Sequence, residues 1–258
     1  MTYCVGILVE QGLVMIADTR TSAGVDNISN YRKLLTIVRT GERVLALASA
    51  GNLSVSQSVV SLLCEGVENP DSGQVERLEE APTMFRAAQL IGRAIRHVRA
   101  TDGPGLEDAN LPFEVSFLFG GQIQGGPLHL YLIYAAGNFI KCSQDAPFLQ
   151  IGEHKYGKPI LDRAIGYQTD LYDALKIGLI SMDSTMRSNL AVGLPIDIAV
   201  IRRDALDAEV VRRIDPSEPY FHDLRERLWL RAALADAAAR RSGRCRGCSP
   251  GVFGRLGQ

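Results

Sequence analysis

The sequence predicts an α+β fold in which two antiparallel sheets pack face to face, with a pair of helices on each outer side. Three observations lead there. The strands come in hairpin-linked groups, the mark of antiparallel sheets. The helices come in pairs between those groups, not one after each strand as in a parallel βαβ sheet. The chain has 258 residues, 46% apolar and 22% charged, which is enough to bury several layers.

Thr2 to Val9 is rich in β-formers, and Leu13 to Ala17 follows a Glu10-Gln11-Gly12 turn, so the chain begins with a hairpin. Leu34 to Val38 and Val44 to Ser49 form a second strand pair, with Gly41 at the turn. A helix over Leu53 to Cys64 carries Val55, Val59, Leu62 and Leu63 at helical spacing. Pro82 suits the first turn of the next helix, whose apolar stripe is Met84, Ala88, Ile91, Ile95 and Val98. Thr101 to Pro112, with Gly103-Pro104-Gly105, is expected to be a loop.

The second half repeats the order. Phe113 to Phe119, Leu128 to Tyr134 and Phe139 to Lys141 are predicted strands. Tyr156 to Ala164 is a short helix, and Leu171 to Arg187 a longer one with Leu171, Leu175, Leu179 and Met182 on one face. Ile196 to Arg202 and Glu209 to Ile214 are closing strands. An added helix, Glu218 to Arg241, holds the only Trp, Trp229. The expected organisation is one αββα domain over residues 2–215, a helical extension over 216–241 and a mobile Arg/Gly-rich tail over 242–258.

Charge excludes some partners. With 28 Lys+Arg against 29 Asp+Glu, no global field attracts nucleic acid or an acidic membrane surface. No segment approaches the roughly 18 apolar residues of a membrane helix. The N-terminus lacks the basic leader and cleavage site of a signal peptide. Five scattered cysteines fit a reducing compartment better than a disulfide framework. A cytoplasmic protein is expected.

The chemistry centres on Thr2. Removal of Met1 would leave its hydroxyl beside its own α-amine, whose reference pKa of about 7.7–8.0 lets it accept the hydroxyl proton near neutral pH. One residue would then be both nucleophile and base. The four histidines form no Ser/His/Asp set. Such a site needs a fixed positive charge near the amine and a carboxylate to hold that charge. Lys33, just before the third strand, and Asp18, at the end of the second, can meet near Thr2 if the strands pair as proposed.

These residues sit in recognisable surroundings. Thr2, Asp18-Thr19-Arg20-Thr21-Ser22-Ala23-Gly24 after the second strand, Lys33 before the third and Ser49-Ala50-Gly51 before a helix resemble the proteasome β-subunit and its bacterial relative HslV, both N-terminal nucleophile hydrolases. Tyr3-Cys4-Val5-Gly6, Asp26-Asn27-Ile28-Ser29, Gly152-Glu153-His154-Lys155-Tyr156-Gly157-Lys158-Pro159 and Asp183-Ser184-Thr185, followed by Ser188-Asn189, look more like the Anbu branch. The resemblance implies the αββα sandwich of that class with an added C-terminal helix. It makes Thr2 the nucleophile, Lys33 the group that lowers the amine pKa and Asp18 the one that orients Lys33. The Gly51 amide would donate to the oxyanion. Thr21 and Ser22 would bind an extended peptide, and Asp183 and Ser188 would support the amine. No metal or other cofactor is implied. A homo-oligomeric ring or helical stack is, acting on peptide or unfolded protein, with an ATPase or biosynthetic partner left open.

One departure stands out. Where the proteasome has Gly-Ser-Gly beside the nucleophile, this chain has Gly152-Glu153-His154, which removes a serine and brings in a carboxylate. Two alternatives to a hydrolase are an amide transferase or ligase using the same acyl intermediate, and a catalytically silent scaffold. The plainer readings are an ordinary ion pair for Asp18 and Lys33, a turn glycine for Gly51 and a solvated helix face for Asp183. Glu153 and His154 read as loop residues, and Cys245 and Cys248 as half a metal site in a tail.

Overall fold

A computed structural model describes residues 2–22, 28–70, 72–219, 221 and 223. The chain divides into two units, Met1–Pro216 and Ser217–Gln258; the architecture below is that of the first. Of the expected helix from Glu218 to Arg241, only Glu218, Pro219, Phe221 and Asp223 are described, and the rest of it, with the tail and Cys245 and Cys248, lies outside the described residues.

The first hairpin is β1 (Tyr3–Val9) and β2 (Gly12–Asp18). Two short strands, β3 (Arg20–Ser22) and β4 (Ile28–Asn30), follow, then β5 (Leu34–Arg39) and β6 (Arg43–Gly51). Next come α1 (Leu53–Glu65), the short pair β7 (Val67–Glu68) and β8 (Val75–Glu76), and α2 (Met84–Asp108). The second half runs β9 (Val115–Ile123), β10 (His129–Ile133), β11 (Phe139–Lys141) and β12 (Phe148–Gly152), then α3 (Lys158–Ala164) and α4 (Leu171–Ser188). It closes with β13 (Ile196–Arg202) and β14 (Val210–Ile214).

These strands build two five-stranded sheets, ordered β12-β1-β2-β13-β14 and β11-β10-β9-β6-β5, each antiparallel throughout. The sheets face each other across a layer containing Cys4, Leu8, Leu13, Met15, Ala46, Ala48, Leu118 and Leu130. Helices α1 and α2 cover the outside of the second sheet, while α4 lies on β1 and β2 with α3 beside it. The expected four-layer αββα sandwich is the observed one. It explains why all seven residues of β1 are buried: their side chains alternate between the inter-sheet layer and the α4 side, and neither face meets water.

Two local expectations are corrected. The stretch from Thr101 is not a loop, because α2 continues through Gly103-Pro104-Gly105 to Asp108. Leu106, in this extension, packs against the α1/α2 core, and that burial outweighs the breaker residues. Strand β12 went unpredicted. Its five residues pair with the outer edge of β1 in the register Tyr3↔Gly152 and Ile7↔Phe148. Among the described residues, no helix is long and apolar enough to cross a membrane.

Candidate active site

The hairpin register brings the chain start to the end of β2. Cys4 pairs with Ala17, and one step on, the Tyr3 amide donates to Asp18 Oδ1 at 3.1 Å. Lys33 arrives from the other sheet. It precedes β5, and its carbonyl accepts from the Ser49 amide on β6 at 3.0 Å. The site therefore straddles the two sheets at one end of the sandwich, and its geometry depends on how they pack.

Lys33 Nζ donates to Thr2 Oγ1 at 2.7 Å, to Asp18 Oδ1 at 2.8 Å and to the Arg20 carbonyl at 2.6 Å. An ammonium has three N–H groups, and here each has an acceptor, so the group is fixed in direction as well as position. Thr2, Asp18 and Lys33 are all buried. Burial raises the Asp18 carboxyl above its ordinary pKa; the Lys33 charge and hydrogen bond, and then the Tyr3 and Gly193 amides, pull it back. A charged pair this deeply buried acts on a neighbouring hydroxyl with little screening.

Gly51 ends β6 with φ +111°, and a Cβ there would fall 2.3 Å from the Glu114 carbonyl oxygen, so no other residue fits. Asn52 then caps α1, its side chain accepting from the Ser54 amide at 3.0 Å. Gly152 has φ +81°, and its Cβ would fall 2.0 Å from the Thr2 carbonyl oxygen. That close approach lets the next amide, Glu153 N–H, donate to the Thr2 carbonyl at 2.7 Å.

The remaining candidates are placed as follows. Asp183 is buried on α4 and accepts from Arg187 Nε at 2.9 Å. Ser188 is the exposed last residue of α4 and, among the described residues, joins none of the bonds around Thr2. Thr21 lies on β3, just past Asp18, and its Oγ1 is buried with no hydrogen-bond partner among the described residues. Ser22 ends the same strand, and its side chain lies outside the described residues. Among the described residues, no group of three or more His, Cys, Asp or Glu is placed to hold a metal ion.

Sequence reasoning missed a second polar network behind Thr2. Gln150 Nε2 donates to Tyr3 Oη at 2.6 Å, Tyr3 Oη lies 2.6 Å from Ser181 Oγ, and Ser181 Oγ donates to the Gly157 carbonyl at 3.0 Å. Since Ser181 spends its one proton on Gly157, Tyr3 must donate to Ser181. Burial pushes the Tyr3 hydroxyl up to about 12, against the lowering from Ser181 and Gln150, so it stays protonated as a fixed donor. The available signal was the set of polar residues Ser181, Asp183 and Thr185, which flank Met182 of the expected apolar face and are buried with it.

Glu153 was read as a loop residue, and it does organise its loop. Its Oε1 accepts from the His154 and Lys155 amides at 3.0 and 2.9 Å, and its Oε2 accepts from Asn189 Nδ2 at 3.0 Å. These donors hold the carboxyl below its ordinary pKa; the Lys155 amide contributes most, and burial opposes it.

No family model matches the chain. It is similar to the solved Anbu (Gly-1) mutant from Hyphomicrobium sp. strain MC1, at 47% identity and a TM-score of 0.82, covering 94% of this chain and 100% of that one. It is also similar to the helical assembly of the Anbu complex from Pseudomonas aeruginosa, at 42% identity and a TM-score of 0.83, covering 98% and 100%. Among curated proteins, the proteasome subunit beta of Haloferax volcanii is 27% identical over 209 residues, which are 81% of this chain and 76% of that one.

Proposed function

The chain belongs to the Anbu family of proteasome-like β-subunits, and from that premise we propose that it is a self-assembling N-terminal threonine hydrolase of peptide or amide bonds, with Thr2 as nucleophile. The observation that carries this reading is the 2.7 Å bond from Lys33 Nζ to Thr2 Oγ1, made while Asp18 and the Arg20 carbonyl clamp the same ammonium.

The steps follow from the groups present. Removal of Met1 frees the Thr2 α-amine. The amine takes the Oγ1 proton as Oγ1 attacks the substrate carbonyl carbon, and Lys33 stabilises the charge on the attacking oxygen. The carbonyl oxygen becomes an oxyanion and accepts from the Gly51 amide. The tetrahedral intermediate collapses, the C–N bond breaks, and the ammonium of Thr2 returns the proton to the leaving amine. An ester on Thr2 remains. Water, deprotonated by the same amine, attacks the ester, and the acid departs with Oγ1 reprotonated. The Asp18 carboxylate holds Lys33 and takes no proton. Thr21, on the short strand past Asp18, offers its backbone to an extended substrate.

Self-assembly into a ring or helical stack is part of the proposal, as is a cytoplasmic setting. The test combines intact mass with labelling. Purified assembly should have lost Met1 and should gain one adduct per chain from a peptide epoxyketone, located at Thr2 and absent in Thr2→Ala. Retained Met1 with no adduct would leave a scaffold. Product masses in the presence of an added amine separate hydrolysis from amide transfer, because both drain the same ester.

A further inference from the structure

Glu153, at the position where a proteasomal serine was expected, makes four hydrogen bonds, one through its amide and three through its carboxylate, and together they join two elements that flank the nucleophile. The Glu153 amide holds the Thr2 carbonyl at 2.7 Å. One carboxylate oxygen binds the His154 and Lys155 amides, which fixes the turn after β12. The other binds the Asn189 side-chain amide, which lies 36 residues further along the chain at the C-cap of α4. Asn189 is itself held, its amide donating to the Thr185 carbonyl at 2.8 Å and its Oδ1 accepting from the Ala191 amide at 3.0 Å. The side chains of Glu153 and Asn189 are thus a bridge between the strand that grips Thr2 and the helix that carries Asp183.

We infer that Glu153 is a positioning residue, which ties the main chain of Thr2 to the end of α4 and so sets where Thr2 Oγ1 stands relative to Lys33. Among the described residues it makes no hydrogen bond to the hydroxyl, and both of its oxygens already accept from N–H donors. The geometry also sets it apart from a plain loop staple. Gly152, at φ +81°, has its missing Cβ 2.0 Å from the Thr2 carbonyl oxygen, so β12 touches the nucleophile's own backbone with no slack between them. A shift in the Glu153 turn is therefore passed to Thr2 directly. The ionised form suits the job, because three N–H groups converge on the two oxygens and none of these contacts asks for a proton from the acid. The charge facing it is Lys155 on its own loop, and from α4 it meets the neutral Asn189 amide.

This inference rests on Thr2 being the nucleophile, and the experiment separates the two. Three variants, Glu153→Gln, Asn189→Ala and the double variant, are compared with wild type as intact assemblies. Two readouts are taken: the maximal rate and half-saturation of Thr2 labelling by a peptide epoxyketone, and amide hydrogen exchange at residues 153–155. In each single variant the maximal labelling rate should fall about 10- to 100-fold, the cost of displacing a reacting atom by about 1 Å, with half-saturation unchanged. The double variant should be no slower than the worse single, because the two side chains form one link. Exchange at residues 153–155 should speed up in all three while α2 stays protected. Wild-type labelling rates in the variants, additive effects, or unchanged exchange would overturn the role of Glu153. If wild type itself never labels, the nucleophile assignment fails, and the exchange data still decide whether Glu153 and Asn189 hold the loop.

Discussion

Helices α2 and α4 each cover one five-stranded sheet, but α2 buries Met84, Ala87, Ala88, Leu90, Ile91, Ala94, Ile95 and Val98, whereas α4 buries Ser181, Asp183 and Thr185 beside Leu171, Ala174, Leu179 and Met182. A buried polar group costs stability unless it is hydrogen-bonded. On α4 each one is: Ser181 to Tyr3 and Gly157, Thr185 to the Ser181 carbonyl, Asp183 to Arg187. The polar set is confined to the second half of α4. Earlier in the helix the approach is apolar and close: a Cβ at Gly178 would fall 2.6 Å from the Ile16 side chain and 3.2 Å from that of Ile7. One turn later, Ser181 meets Tyr3, the neighbour of Thr2. The α2 layer supplies stability by area, and the end of α4 supplies placement by hydrogen bonds.

The largest test of that division is at the charge both sheets share. Lys33→Ala should cut epoxyketone labelling of Thr2 by roughly 10²- to 10⁴-fold, the range for losing a group that promotes proton transfer. Far-UV circular dichroism should still report the sandwich. Labelling at the wild-type rate would mean that the 2.7 Å contact is ornamental and that α4 and β1 surround an inert pocket.

In the apolar layer the loss should be stability alone. Ile91 is fully buried on α2. Ile91→Ala should lower unfolding free energy by about 2–5 kcal/mol, through lost transfer energy and the cavity left behind. Denaturant unfolding measures it. The labelling rate per folded chain should be unchanged, and a matching loss of reactivity would break the contrast between the layers.

Ser181→Ala should do some of each. It leaves the Tyr3 hydroxyl without its acceptor and the Gly157 carbonyl without its donor, at about 1–3 kcal/mol. Because Tyr3 adjoins Thr2, labelling should slow beyond what the lost folded fraction explains. A purely proportional loss would put Ser181 with Ile91, as structure only.

The same contrast governs what the amino-acid sequence revealed. Apolar periodicity made the stripe on α2 and the β1–β2 hairpin legible, because period and burial coincide there. It failed at the far end of α2, where Gly103-Pro104-Gly105 signals a break but Leu106 is recruited to the core. It failed at β12, five residues with Gln150 in the middle, because that glutamine serves Tyr3 and not solvent. At the site, Thr2, Asp18 and Lys33 were legible because strand ends place them. The Arg20 carbonyl and the Gly193 amide were not, since nothing in the residue type at either position signals the backbone group it offers. Glu153 reads as a loop residue until the fold brings Asn189 to it.

The smallest effect expected is an acid limb belonging to Glu153. Its pKa in the folded protein lies below the ordinary glutamate value of 4.5, chiefly through the Lys155 amide, with Asn189 and His154 adding to it. A carboxyl held low when folded binds fewer protons there than in the unfolded chain. Its contribution to stability is therefore fully present above the unfolded value and is lost as pH falls through the folded one. Urea unfolding of wild type and Glu153→Gln, run from pH 7 down to pH 3, should show a stability gap that is constant near neutrality and closes below about pH 4.5. A gap that stays open in acid would mean that the three N–H donors bind shape and not charge. The link between β12 and α4 would then be packing of the kind α2 provides, and the two helical layers would differ less than their buried residues suggest.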